Sequence, residues 1–123
     1  MNTILQPRQS GKTRKIASDI NWCCLFDLVP VAAVFSTFRM VNRFKADYLV
    51  EYKFTGEEWD NIHLFVGARD RASYAANTIY VINRLKYIKP TRIYIDEVQD
   101  MFGPFITELC SYFDDKIIAY GTK

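Results

Sequence analysis

The stretch Gln6-Pro7-Arg8-Gln9-Ser10-Gly11-Lys12-Thr13 constrains this chain more than any other. It follows a minimal β-type run, Thr3-Ile4-Leu5, and leads into residues with helical spacing. A loop that grips phosphate has to sit at such a place, at the end of a strand and the start of a helix. Gly11, Lys12 and Thr13 fill the second half of the pattern G-x-x-x-x-G-K-[ST], and Gln6 stands where its first glycine is expected. Each residue type has a physical job. Backbone N–H groups from Gln9 through Ser10 onward can turn inward around phosphate oxygens, and the helix adds the positive end of its dipole. Gly11 lets backbone and phosphate approach without a Cβ between them. Lys12 would reach the β- and γ-phosphates, the Thr13 hydroxyl would ligate Mg²⁺, and Arg14 completes the expected nucleotide-binding run. Pro7 offers no N–H, but it precedes the donors. Taken alone, without the first glycine, the stretch also fits a plain strand-to-helix turn.

A second stretch narrows that choice. Arg92-Ile93-Tyr94-Ile95-Asp96-Glu97 is a β-rich apolar run that ends in two carboxylates. A parallel strand buried on both faces reads as a continuous apolar run, and ligands of α/β sheets sit beyond the carboxyl ends of the strands. Asp96 and Glu97 fall there. Asp96 would hold Mg²⁺, directly or through water. Glu97 would orient and polarise an attacking water, because ATP hydrolysis needs positioning and charge stabilisation more than covalent help. An isolated Ile-Asp-Glu would read as an exposed acidic turn. The two motifs in this order, each at a strand end, point instead to a site for ATP and Mg²⁺.

The rest of the chain alternates short β-type runs with helical patterns, as a parallel sheet with helices on its faces does. The spacing predicts a helix from Lys12 to about Leu28, with Ile16, Ile20 and Cys23 or Cys24 on its core stripe and Asp27-Leu28 at its end. Pro30 breaks it, and Val31 to Phe35 is a second buried strand. Ser36 or Thr37 can cap a second helix in which Phe38, Val41, Phe44 and Tyr48 recur at spacings of three and four. Gly56-Glu57-Glu58 reads as a surface loop, and Ile62 to Val66, closed by Gly67, as a third strand. From Arg69 to about Ile88 runs a long helix with Ala72, Ala76, Ile79, Ile82 and Leu85 on one face, the alanines suggesting close packing on the sheet. Pro90 ends it. After Glu97 a further helix buries Phe102, Phe105, Ile106, Leu109, Cys110 and Phe113, and Lys116 to Tyr120 is a fifth strand that delivers Gly121-Thr122-Lys123 to the carboxyl edge. The expected architecture is α/β: a three-layer αβα P-loop NTPase core with a mostly parallel sheet of about five strands, in one domain over residues 1–123.

Composition removes several other classes. Half of the residues are hydrophobic and 15% aromatic, so the chain can build a core and is not of disordered type. A net charge of +2 does not by itself argue for nucleic acid. Cys23, Cys24 and Cys110 are an odd number without C-x-x-C spacing, and His63 is the only histidine; a zinc site or disulfide framework is not expected, and a reducing intracellular setting is. His63, beside Leu64-Phe65-Val66, reads as a strand-edge residue rather than a catalyst. No apolar run approaches the ~20 residues of a membrane span, so a soluble protein is expected.

These residues resemble a known family, the ATPase domain of phage large terminase subunits, the motors that package viral DNA. Those proteins commonly carry a deviant Walker A loop that lacks the first glycine and has Arg-Gln before Gly-Lys-Thr. Pro7 to Thr13 looks like that loop, Ile93 to Glu97 looks like their Walker B strand, and Lys116 to Thr122 falls where they keep a coupling motif. The resemblance implies an additional-strand P-loop ATPase, with another strand between those carrying the two Walker motifs. It implies Mg²⁺ with ATP, catalytic roles for Lys12, Glu97 and Arg8 (an arginine finger acting from within the loop), and phosphate sensing at Thr122. It also implies double-stranded DNA as a partner through a larger assembly, a homo-oligomeric ring or other viral motor subunits, and a setting in the cytoplasm of an infected host. The chain departs from the family in having no room for a nuclease domain and five residues before the loop, as a fragment, split gene or reduced relative would.

Four other readings compete, among them a small-molecule kinase, which the P-loop alone permits although Glu97 after Asp96 suits water activation better than phosphoryl transfer to a second substrate. Asp96-Glu97-Val98-Gln99-Asp100 resembles motif II of superfamily 1 helicases, and Ser10 to Arg14 resembles their Walker A, although those enzymes place more sequence between the motifs and need a second domain. A GTPase is disfavoured: Asp100-Met101-Phe102-Gly103 fits D-x-x-G, but no N-K-x-D follows. A non-hydrolysing nucleotide-binding or interaction module derived from a terminase fits the absent glycine, while intact Lys12, Thr13, Asp96 and Glu97 oppose it. Arg39, Arg43, Lys45, Arg69, Arg71, Arg84, Lys86 and Lys89 read as solvated helix faces rather than a defined DNA surface.

Overall fold

The computed structural model describes residues 1–26 and 28–123. Five strands, β1 (Asn2–Gln6), β2 (Val31–Phe35), β3 (Ile62–Val66), β4 (Ile93–Ile95) and β5 (Ile117–Thr122), form one sheet in the order β1-β5-β4-β2-β3. Every pairing is parallel, so the expected mostly parallel sheet is wholly so. The helices are α1 (Lys12–Phe26), α2 (Phe38–Phe44), α3 (Gly56–Asp60), α4 (Arg71–Ile88) and α5 (Gly103–Phe113).

Alternation along β2 divides the core in two. Ala32 and Val34 face a cluster with Val81, Ile82 and Leu85 of α4 and Phe105 and Leu109 of α5. Val31, Ala33 and Phe35 face a second cluster with Ile16, Ile20, Cys23 and Cys24 of α1 and Val41 and Phe44 of α2. All five side chains of β2 are buried, as a strand covered on both sides must be. Helices on both faces of one sheet make the three layers that the alternating pattern predicted.

Several boundaries and faces differ from expectation, each for a local reason. α1 ends at Phe26, with Leu28 exposed in a left-handed conformation (φ 49°); Asp27 lies outside the described residues. Thr37 caps α2 as expected, its hydroxyl accepting from Met40 N, but Phe38 is 68% exposed and the buried residues of α2 are Val41 and Phe44. The chain then widens into a π-helical turn over Lys45–Leu49, which buries Leu49 and leaves Tyr48 half-buried. Gly56-Glu57-Glu58 is helix rather than loop: Thr55 accepts from Glu58 N, and the Glu58 carboxylate accepts from Thr55 N. On α4 the buried face is Thr78, Val81, Ile82 and Leu85, whereas Ala72 and Ala76 are exposed and Ile79 is 71% exposed. A capping box between Asp70 and Ser73 sets the start of α4, and the face that meets the sheet lies about one residue round from the predicted stripe. β5 runs on to Thr122, two residues past its expected end, because Gln6 and Thr122 are partners across the β1–β5 ladder.

Candidate active site

The strand order brings three chain segments to one edge. β5 lies between β1 and β4, so the loop after Gln6, the Gly121-Thr122 end of β5 and the Asp96-Glu97 pair after β4 are neighbours at the carboxyl end of the sheet. A strand between the two motif-bearing strands is the arrangement the resemblance implied.

The loop is shaped by two left-handed residues, Gln9 (φ 58°) and Gly11 (φ 84°). Alternation of hand turns successive N–H groups to one side, the geometry of an anion nest. The position a Cβ would take on Gly11 has no other atom within 4 Å, so the backbone there is open to an approaching group. Gln6, in the place of the missing glycine, is held at two points: its side chain accepts from the Ser10 hydroxyl at 3.1 Å, and its carbonyl accepts from Lys123 N at 3.0 Å. α1 then begins at Lys12, with Lys15 N donating to Gly11 O at 2.9 Å.

Lys12 is 5% exposed and its Nζ lies 3.6 Å from Glu97 Oε1 and 3.3 Å from Pro7 O. Thr13 donates its hydroxyl to Asp96 Oδ2 at 3.3 Å. Asp96 is 2% exposed, and its Oδ1 has no hydrogen-bond partner among the described residues. Burial, and then the neighbouring Glu97 charge, push the Asp96 carboxyl up to about 6. A buried carboxylate with a free oxygen, beside a hydroxyl, is a donor set that suits a hard divalent cation. Thr13 and Asp96 therefore fit Mg²⁺.

Glu97 sits in the left-handed region (φ 55°, ψ 61°) and opens a short 3₁₀ turn, Val98–Asp100. Its Oε2 accepts from the Thr122 hydroxyl at 2.8 Å and from the Gln99 amide. Gln99 Oε1 in turn accepts from Thr122 N at 3.1 Å. A Cβ on Gly121 would stand 2.9 Å from that oxygen and 2.8 Å from Leu5 Cδ2, so glycine lets the Gln99 side chain reach β5. Burial raises the Glu97 carboxyl, but the hydrogen bonds from Gln99 and Thr122, with the Lys12 charge, outweigh it and hold it below its ordinary value. The two adjacent carboxylates are thus pushed apart, Asp96 up and Glu97 down.

Arg8, Gln9, Lys12, Glu97, Gln99 and Thr122 line a cleft of about 330 Å³. Thr13 and Asp96 open onto a second one, of about 210 Å³, walled by Phe35, Met40, Arg43, Phe44 and Tyr48. Lys12 and Thr13, adjacent in sequence, stand between them. Arg8 is exposed at the cleft rim. Arg14 is exposed too, with its guanidinium 5.6 Å from the centre of the Tyr48 ring, and together with Ser10 and Gly11 it borders a shallow recess beside Lys15 and Tyr120. Gln99 joins the site although the motif pattern does not single it out. Its signal was the Gln two positions after Glu97, which acquires a role only because the 3₁₀ turn folds it back.

Several of the basic residues on the helices meet aromatic rings: Arg84 stands over Tyr87 at 5.5 Å and Lys86 over Tyr112 at 3.9 Å. No described helix is long and apolar enough to cross a membrane. No protein-family model matches the chain, and no curated protein matches it at a significant level.

Proposed function

We infer that the chain is a Mg²⁺-dependent ATP-binding and ATP-hydrolysing domain of a viral DNA-packaging motor of the terminase kind. The observation that carries this reading is the convergence of Lys12, Thr13, Asp96, Glu97 and Thr122, from three separate strand ends, within hydrogen-bond or ion-pair reach of one another. In this reading the N–H groups of the Gln9-to-Thr13 loop hold the phosphates, and Lys12 exchanges Glu97 and Pro7 O for β- and γ-phosphate oxygens. Thr13 and Asp96 would hold Mg²⁺, which would supply neutralisation of the phosphate charge.

Glu97, held ionised below its usual range, accepts a hydrogen bond from water and orients it toward the γ-phosphorus. The water oxygen forms a new P–O bond as one of its protons passes to a γ-phosphoryl oxygen. The bond from the γ-phosphorus to the β–γ bridging oxygen breaks with its electron pair left on that oxygen, and ADP leaves beside inorganic phosphate. Arg8, at the cleft rim, is placed to meet charge on the γ-phosphoryl oxygens. Thr122 touches Glu97 directly, so a change in that carboxylate is felt at the end of β5. Double-stranded DNA, a ring of copies or other motor subunits, and a place inside an infected cell belong to the same proposal.

A second reading, a superfamily 1 helicase-like core, is favoured by Gln99. In the Asp96-to-Asp100 motif that residue is engaged on both Glu97 and Thr122 rather than left in solvent. One experiment separates the readings. Steady-state ATP hydrolysis is measured with Mg²⁺, alone and with double- or single-stranded DNA, beside Glu97→Gln. Turnover that Glu97→Gln reduces by 100-fold or more, a magnitude typical of losing a positioned catalytic group (about 10²–10⁴), and that duplex DNA stimulates, is the expected result. Stimulation by single strands alone would favour the helicase-like core. Nucleotide binding without turnover above the Glu97→Gln control would leave a non-hydrolysing module.

A further inference from the structure

On the side away from the phosphate loop the sheet ends in β3, and no described strand pairs with its outer edge. In its ladder with β2, Val31 N donates to Asn61 O and Gly67 N donates to Phe35 O, both at 2.8 Å. Strand residues turn their backbone groups alternately toward and away from the neighbour, so Ile62, Leu64 and Val66 direct N–H and C=O outward. Exposed edges are ordinarily blunted by charge, proline or a covering segment. Ile62-His63-Leu64-Phe65-Val66 has no proline and no fixed charge, and burial together with the Arg84 charge holds His63 below its ordinary value and so uncharged at neutral pH.

This edge is the floor of a cavity of about 340 Å³ whose walls come from both faces of the sheet. Lys45 and Trp59 rise on the α1–α2 side, Trp59 edge-on to Phe54 of that core; Tyr80 and Arg84 of α4 rise on the other. Lys45 and Arg84 are its cationic lining residues, the Arg84 guanidinium 5.5 Å from the centre of the Tyr87 ring, and no carboxylate is among its lining residues; Asp60, just before the strand, acts on His63 from its end.

We propose that the β3 edge takes an extended, acidic segment of a partner protein as a sixth, added strand. Main-chain groups of Ile62, Leu64 and Val66 supply the ladder, and side chains supply the selection. Successive residues of a strand point to opposite faces, so two adjacent carboxylates would meet Lys45 on one side and Arg84 on the other. Trp59 and Tyr80 would flank apolar neighbours. A second copy of this chain fits poorly: neither β3 nor the other edge strand, β1, carries a carboxylate, and two β3 edges face to face would bring Lys45 and Arg84 of both copies together. The proposal does not depend on the nucleotide reading.

The test uses capped synthetic peptides of about nine alternating Val and Thr residues, one with an adjacent Glu pair at its centre and one with a Lys pair. Backbone amide exchange is followed residue by residue in the full chain. The Glu peptide should slow exchange at Ile62, Leu64 and Val66 about tenfold or more, the Lys peptide should not, and Lys45→Glu or Arg84→Glu should abolish the effect. Lys45 is exposed, so its variant keeps the test usable if Arg84→Glu perturbs folding. No slowing at millimolar Glu peptide, or equal slowing by both peptides, would overturn the proposal. So would protection of the same amides that grows with protein concentration alone, because the occupant would then be a second copy.

Discussion

Asp96 and Glu97 are neighbours in sequence, and their environments differ. Asp96 is enclosed and its carboxyl rises to about 6, whereas Glu97 is anchored by three donors and falls. Because the folded chain keeps the Asp96 proton through a range where the unfolded chain has lost it, the Asp96 contribution to stability should fall as pH rises from about 4 to about 6. Above that window the ionised, buried carboxylate costs about 2–3 kcal/mol. Asp96→Asn should flatten the stability–pH curve by that amount in denaturant titrations without Mg²⁺; a curve parallel to the parent would contradict the assignment. At Gly121 the prediction is steric. Gly121→Ala would push the flexible ends of the Gln99 and Leu5 side chains aside, at a cost of about 1 kcal/mol or less. Urea unfolding should show that loss, and Gln99→Ala in the same chain should relieve part of it.

At the scale of elements, strands were more legible than helix faces. β2 and β3 lie where their apolar runs predicted: β2, buried on both faces, leaves a continuous apolar signature that needs no phase, and the half-buried edge strand β3 keeps four apolar residues in five. α4 shows the opposite. Its apolar residues surround much of the helix, so periodicity alone did not choose between a face through Ala76 and Ile79 and one through Thr78 and Val81; contact with α5 and the sheet chose the second. α3 was legible in principle, because Thr55 and Glu58 have capping-box spacing, but its polarity reads equally as loop. Thr55→Ala should therefore destabilise the chain by about 0.5–1 kcal/mol, measured by urea unfolding, whereas a true loop would register nothing.

For the molecule as a whole, one sheet carries two separate apolar clusters, and neither helical layer has a core without it. Phe44 anchors one cluster and Phe105 the other, at 2% and 0% exposure. Phe44→Ala and Phe105→Ala should each cost about 3–5 kcal/mol, and in both variants a single transition should shift, with far-UV and near-UV circular dichroism coinciding. Separate transitions for the two faces would show that the layers fold independently. The same sheet order makes the site, since the placing of β5 between β1 and β4 brings Thr122 to Glu97 and Gln99.

The sequence by itself determined the α/β class, the alternation of strand and helix, and the ends at which Lys12, Thr13, Asp96 and Glu97 would stand. These follow from hydrophobic run length, proline and glycine punctuation and the local chemistry of a strand-to-helix loop, all of which act over a few residues. Only the tertiary structure decided the strand order, the buried face of α4, the opposed shifts of Asp96 and Glu97, the role of Gln99 and the open edge at β3. Each of those depends on which distant segments become neighbours. Chain-local preference does not encode that choice; it is made when the two faces of the sheet are buried together.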